Sequence, residues 1–214
     1  MKRAIVLLSG GLDSAVSFYL ARKQGFNCFC LIFDYGQRHK KEIECAKKLA
    51  KQARCQFKII KLDLASGACA LLNKKINFAQ GAKGIPNTYV PARNIIFLSI
   101  ALSYAEALKA EAIFIGAHTH DYSGYPDCRP EFYQAFNKII KVGTKSGVEK
   151  KKIKVVAPLI NKNKSQIIKL GVDLGVPFGL TWSCYRGGSK PCGKCDSCYY
   201  RAKGFRQAGL GDTQ

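Results

Sequence analysis

No stretch of the 214-residue chain approaches the roughly 18 consecutive apolar residues that a membrane-crossing helix needs, and its start lacks the residue order of a secretory leader. The expectation is a cytoplasmic protein with no membrane partner. Acidic residues are also scarce: 14 Asp and Glu stand against 35 Lys and Arg, a formal net charge of +21. Such an excess concentrates polyanions near the surface. The lysines fall in scattered clusters, however, at Lys40 and Lys41, Lys47 and Lys48, Lys74 and Lys75, and Lys150 to Lys152. That distribution describes a solvated surface rather than a groove, so specific nucleic-acid binding is not the expectation. Hydrophobic residues at 47% and charged residues at 23% are ordinary for a globular chain, which excludes disorder. At this length one domain, with room for a small appendage, buries roughly 70% of its unfolded surface.

A missing lysine sharpens the reading of residues 9–14, SGGLDS. The commoner phosphate loop ends its glycine run with a lysine, and the dinucleotide fingerprint needs a third glycine; neither is present. What is present is an apolar run from Ala4 to Leu8, two glycines, and a helical pattern from Ala15. A strand that turns through glycines into a helix leaves backbone N–H groups free for a phosphate oxyanion. Leu8, Ser9, Gly10, Gly11, Leu12, Asp13 and Ser14 are therefore the candidate nucleotide site. Gly10 and Gly11 bring the backbone close, and Ser9 and Ser14 add hydroxyls. Asp13 is odd in a bare anion site and reads as a metal-mediated or capping carboxylate.

SGGxDS after an N-terminal strand resembles the pyrophosphate loop of the ATP pyrophosphatases, the PP-loop enzymes. That resemblance implies cleavage of ATP between its α and β phosphates, with AMP passed to an acceptor. An ordinary glycine-rich strand-to-helix turn is the plainer alternative.

Apolar runs at 2–8, 27–33, 57–62, 112–116 and 153–159 read as buried strands. Helical patterns lie between and after them, at 13–24, 42–52, 95–109, 130–142 and 163–175, with a further irregular one at 64–77. The alternation predicts an α/β fold with a doubly wound, mostly parallel sheet, Rossmann-like, whose ligand crevice lies at the strands' C-terminal ends. Asp34 at the end of the second strand either touches the nucleotide's ribose or base edge or closes a turn. Residues 78–87 read as a loop over the site and 144–152 as an exposed basic loop. Pro91 is expected to hold the chain extended into the next helix, with Arg93 at its N-terminus as the fixed cation for the triphosphate. The polar stretch 117–132 offers what a purine-like ring needs: aromatic faces from Tyr122 and Tyr125, a carboxylate from Asp121 or Asp127, and a cation from Arg129. His118 and His120 read as hydrogen-bonding side chains rather than metal ligands.

Ten cysteines in a chain of this kind point to metal rather than disulfides. Cys184, Cys192, Cys195 and Cys198 form C-x7-C-x2-C-x2-C, with Gly187, Gly188 and Gly193 supplying turns. Four thiolates in so short a span close a tetrahedral shell, the pattern of one structural Zn²⁺ per chain. An iron–sulfur cluster is the rival, but its runs place the fourth cysteine downstream. The expected division is a nucleotide-binding domain at 1–182 and a zinc-binding segment at 183–214.

SGGLDS, FDYGQRH, GIPNTYVPARN, DYSGYPDCRPEF, WSCY and CGKCDSC together resemble the 7-cyano-7-deazaguanine synthases, nitrile-forming enzymes of queuosine precursor synthesis. The resemblance runs nearly end to end and implies a PP-loop domain of the adenine nucleotide α-hydrolase type. It further implies conversion of 7-carboxy-7-deazaguanine and ammonia to the nitrile with two ATP, one Zn²⁺ per subunit and a homodimer. On this reading Ser9, Gly10, Gly11, Ser14 and Arg93 meet the charge that develops on pyrophosphate, with Mg²⁺ near Asp13. Two other readings are a PP-loop enzyme that adenylates a tRNA base carbonyl and a non-enzymatic nucleotide- or nucleic-acid-binding zinc protein.

Overall fold

Strand β1 (Arg3–Leu7) buries Ala4 and Val6, and Leu8 just beyond it, in one core, and Ile5 and Leu7 in another. Successive side chains of a strand face opposite ways, so an unbroken apolar run specifies a sheet covered on both sides. The computed structural model describes residues 2–64, 69–73, 75–78, 84–119 and 124–213. Four more strands, β2 (Asn27–Asp34), β3 (Gln56–Lys61), β4 (Ala112–Phe114) and β5 (Lys154–Val156), complete one sheet in the order β3-β2-β1-β4-β5. Every pairing is parallel.

The helices are α1 (Leu12–Lys23), α2 (Lys41–Gln52), α3 (Arg93–Ala107), α4 (Pro130–Gly143), α5 (Lys145–Val148), α6 (Lys164–Asp173) and α7 (Asp196–Ala208). Phe18, Leu49, Ile167 and Phe205 carry α1, α2, α6 and α7 into the Ala4–Val6 core, while Leu98 and Phe136 carry α3 and α4 into the other. The chain winds outward from β1 through β2 to β3, then returns to place β4 on the far side of β1. The loops leaving β1 and β4 diverge at this reversal and open a crevice at their C-terminal ends.

Several expectations are corrected. Among the described residues of 64–77 there are turns and no helix. The backbone there bonds across the chain, Ala70 N–H to Asn87 O at 2.7 Å and Arg38 N–H to Leu71 O at 3.0 Å, and the i−4 bond from Asn73 N–H to Cys69 O at 2.9 Å closes a turn rather than starting a ladder. Residues 144–152 are not wholly a loop: Thr144 caps α5 by accepting from Gly147 N–H at 2.9 Å, and Glu106 accepts from Ser146 N–H at 2.8 Å. The entry to α3 is a turn rather than extended, with Ala92 at φ +55°. Pro91 fixes only its own φ. Helix α7 was not anticipated, because the cysteine spacing that precedes and enters it reads as loop. No helix among the described residues is long and apolar enough to cross a membrane.

Candidate active site

The turn after β1 is packed from behind. Gly10 has φ +88°, and a Cβ there would stand 2.1 Å from Glu42 O and 2.8 Å from Ala46 N, so the first turns of α2 lie flush against it. Gly10 O accepts from Trp182 N–H at 2.9 Å, which fastens the C-terminal segment to the loop. Gly11 is the N-cap of α1, and the loop is braced internally: Ser9 Oγ accepts from Gly11 N–H at 3.2 Å, and Ser14 Oγ donates to Gly11 O at 3.0 Å. The N–H groups of Leu12, Asp13 and Ser14 have no acceptor among the described residues, as the first turn of a helix requires. Across the crevice Gly116 follows β4, and a Cβ there would meet Asp13 C and Ser14 N at 2.6 Å. Both sides of the reversal therefore press backbone against backbone.

Asp13 is engaged by a distant lysine. The capping box of α6, in which Asn163 Oδ1 accepts from Gln166 N–H at 2.9 Å, sets Lys164 at the helix start. Its Nζ donates to both carboxylate oxygens of Asp13, at 2.8 and 2.9 Å, and lies 3.0 Å from His118 Nε2. Burial alone would raise the Asp13 carboxyl; Lys164 and His118 more than offset it and hold it well below the usual carboxylate range. Arg93, at the start of α3, donates from Nη1 to Tyr35 Oη at 3.2 Å.

Glu42 is the opposite case to Asp13. Burial pushes its carboxyl up to about 7, and Arg93 only partly restrains it. The folded state then holds a proton that the unfolded chain has lost, so this group's contribution to stability falls as pH rises from about 4.3 toward 7. Urea unfolding should show wild type losing stability relative to Glu42→Gln across that window. A difference that is flat with pH would remove this assignment.

Two cavities of about 300 and 220 Å³ open at the crevice and share Leu12, Asp13, Arg93, Gly116, Tyr125 and Cys128. Leu8, Ser9, Gly11 and Ser14 line the larger, with Phe33, Tyr35 and Phe97; Thr88, His118, Lys164 and Arg201 line the smaller. Gly10 lies behind the wall. Asp34 pairs with Lys40 and lines neither cavity. Of the expected ring-binding residues, Tyr125 faces both cavities and hydrogen-bonds Thr88 through the two hydroxyls at 2.6 Å. Asp127 is buried, and its carboxylate accepts from Asn94 N–H at 3.2 Å, capping α3. Neither Asp127 nor Arg129 lines either of these two cavities. Asp121, Tyr122 and His120 lie outside the described residues.

The ligand atoms of Cys184, Cys192, Cys195 and Cys198 lie within 4.8 Å of one another. A tetrahedral ion with Zn–S of about 2.3 Å needs sulfurs about 3.8 Å apart. The Cys192 and Cys198 sulfurs are 4.0 Å apart, and the Cys184 sulfur accepts from the N–H groups of Arg186 and Cys192, each at 3.4 Å, so the set fits a metal held by thiolates.

The chain matches the family described as Queuosine biosynthesis protein QueC over residues 3–209. It belongs to the QueC family. Relatives of this QueC chain include the 7-cyano-7-deazaguanine synthase of Acetivibrio thermocellus, 53% identical over 100% of this chain and 97% of that protein. Another is 7-cyano-7-deazaguanine synthase 2 of Desulfitobacterium hafniense, 51% identical over 99% of this chain and 92% of that protein. The fold is also that of a 4-thiouridine synthetase solved with RNA and bound ATP, at a TM-score of 0.53 and 17% identity over 97% of this chain and 50% of that one. In this QueC chain the site residues missed in sequence are Glu42, Lys164, Trp182, Ser183 and Tyr185. From the sequence Lys164 reads either as facing the crevice or, more simply, as solvated, and only the capping box beside it, N-x-x-Q at 163–166, signals that its position is fixed.

Proposed function

We propose that the chain converts 7-carboxy-7-deazaguanine and ammonia to 7-cyano-7-deazaguanine by two successive adenylations. The observation that carries this reading is the pair of adjoining cavities meeting at Asp13, Arg93 and Gly116, one built on the SGGLDS turn and one beside it. The larger suits ATP, with phosphates on the N–H groups of residues 11–14 and the base against Phe33, Tyr35 and Phe97. The smaller suits the deazaguanine, with Tyr125 on the shared wall. Of the earlier candidates, Asp121 and Tyr122 stay in this assignment as ring-binding residues, while Asp127 acts through the start of α3 and Arg129 stands at the N-cap of α4.

A carboxylate oxygen is a poor leaving group, and AMP is a good one. Adenylation of the acid lets ammonia displace AMP to give the amide; adenylation of the amide oxygen lets a second AMP leave as the C≡N bond forms. Ser9, Ser14 and Arg93 oppose the charge that builds on pyrophosphate in both rounds. Mg²⁺ would accompany ATP and neutralise phosphate charge. Lys164 already holds both oxygens of Asp13, so Asp13 reaches such an ion only by exchanging that partner. The four cysteines hold a structural Zn²⁺ in the segment 183–214, appended to the nucleotide domain at 1–182. We further place the protein in the cytoplasm as a homodimer.

Purified protein incubated with ATP, ammonium and 7-carboxy-7-deazaguanine should yield the nitrile, with two AMP for each nitrile by mass spectrometry. AMP formed without nitrile, or turnover on tRNA instead, would overturn the assignment.

A further inference from the structure

Glu42 has no part in the steps above, yet it lines the larger cavity from the first turn of α2, directly behind the phosphate-binding turn. Among the described residues neither of its carboxylate oxygens has a hydrogen bond or ion pair. Asp13, the other carboxylate of that cavity, has both oxygens on Lys164. The groups facing Glu42 come from every side: Arg93 from α3, Tyr35 from the turn after β2, Tyr185 from the C-terminal segment and Cys45 from its own helix. His39 lines the same cavity. Burial raises the Tyr35 phenol, which leaves it neutral at pH 7. Arg93 is the cation that faces Glu42 among these neighbours.

We propose, resting on the function above, that the Glu42 carboxylate is the base that strips protons from the nitrogen substrate. The overall chemistry demands such a group. Ammonium enters with four N–H bonds and the nitrile nitrogen has none, while both carboxylate oxygens depart on AMP. In the first round Glu42 takes a proton from ammonium, and the freed lone pair forms the C–N bond as the C–O bond to AMP breaks and its electron pair leaves on the phosphate. A second proton leaves the nitrogen of the adduct, after Glu42 has passed the first to water. In the second round the amide nitrogen loses one proton as its oxygen is adenylated and the last as C≡N forms.

Asp13 cannot do this, because a carboxylate clamped by Lys164 is a weak base. Glu42 sits at about 7, where a carboxyl both accepts and returns protons at neutral pH. Arg93 sets that balance: burial alone would keep the acid protonated, and the facing guanidinium draws it back.

Glu42→Gln keeps the shape and removes the base. Its kcat/KM for ammonium should fall roughly 100-fold or more, with the far-UV dichroism of the folded protein unchanged. Wild type should show an acid limb in kcat/KM for ammonium near pH 7, and the variant should lose that limb and recover activity as rising pH supplies free ammonia. Glu42→Asp, a second variant, should keep the limb at lower kcat. Glu42→Gln with wild-type kcat/KM for ammonium, or with its loss confined to KM for the deazaguanine, overturns the proposal; so does a Glu42→Asp enzyme without the limb. If wild type makes no nitrile the function fails; if wild type and Glu42→Gln make it equally, only the role of Glu42 fails.

Discussion

Replacing Cys195 by serine is expected to abolish ATP binding along with metal binding, although no cysteine of the cluster belongs to the nucleotide loop. The reason is the path between them. Trp182, two residues before Cys184, donates its N–H to Gly10 O at 2.9 Å. Ser183, Tyr185 and Ser197, interleaved with the ligands, line the cavity itself. Lys41 of α2 lies 3.9 Å from the centre of the Trp182 ring and donates to Ser189 O at 2.6 Å. Gly187 packs on His39 so closely that a Cβ would fall 2.1 Å from the His39 Cβ. The cysteine-bearing turn is thus one wall of the proposed nucleotide site, and little else orders it: residues 181–195 contain no helix or strand.

The magnitudes favour a large effect. A structural zinc contributes on the order of 10–16 kcal/mol of apparent folding free energy, against a total stability of about 5–15 kcal/mol for a typical domain. A site that loses one thiolate loses much of that, and the wall loosens before the sheet does. Metal analysis should fall well below one ion per chain, and titration calorimetry should detect no ATP binding while far-UV dichroism keeps the sheet and most helices. A Cys195→Ser protein that is metal-free yet binds ATP like wild type would separate the two sites and sink the coupling.

What was legible in the sequence is what is local. SGGLDS declares a strand, a turn and a helix start within a few residues, and its backbone donors follow from that geometry alone. The four cysteines lie within fifteen positions, so their spacing carries the site. The alternation of apolar runs with helical patterns carries the parallel sheet for the same reason. Contacts across long separations were not legible. Lys164 meets Asp13 over 151 positions, and Asn94 meets Asp127 over 33, so a lysine that reads as solvated is locked in the crevice and an aspartate that reads as ligand-facing caps a helix. Glu42 reads as an ordinary first-turn acid of α2; only the packing of that turn behind Gly10 shows where it points. Residues 64–77 misled for the converse reason, since among the described residues their apolar spacing serves burial of Cys69 and Leu71 in the second core without a helix.

Two neighbouring glycines should separate folding from binding. Gly10→Ala is expected to cost about 4 kcal/mol or more, the range of severe single substitutions, because two penalties coincide. The residue sits at φ +88°, where an L side chain is strained, and the new methyl would have to displace the backbone of α2 at Glu42 O. For a chain of this size that is a fall in melting temperature of about 10 °C or more. Gly11→Ala meets Ser9 Oγ at 3.4 Å and Trp182 O at 3.7 Å, both ordinary contacts, and its φ of −77° suits alanine. It should therefore fold almost as well as wild type. Its methyl nevertheless stands on the turn whose N–H groups are assigned to the phosphates, so ATP affinity should drop by about tenfold, roughly 1.4 kcal/mol. The informative result is the contrast: one variant loses stability, the other loses only nucleotide. Gly11→Ala with wild-type ATP affinity would take the phosphates off this turn, and Gly10→Ala with wild-type melting would mean that α2 yields, which would free Glu42 from the position on which its assigned role depends.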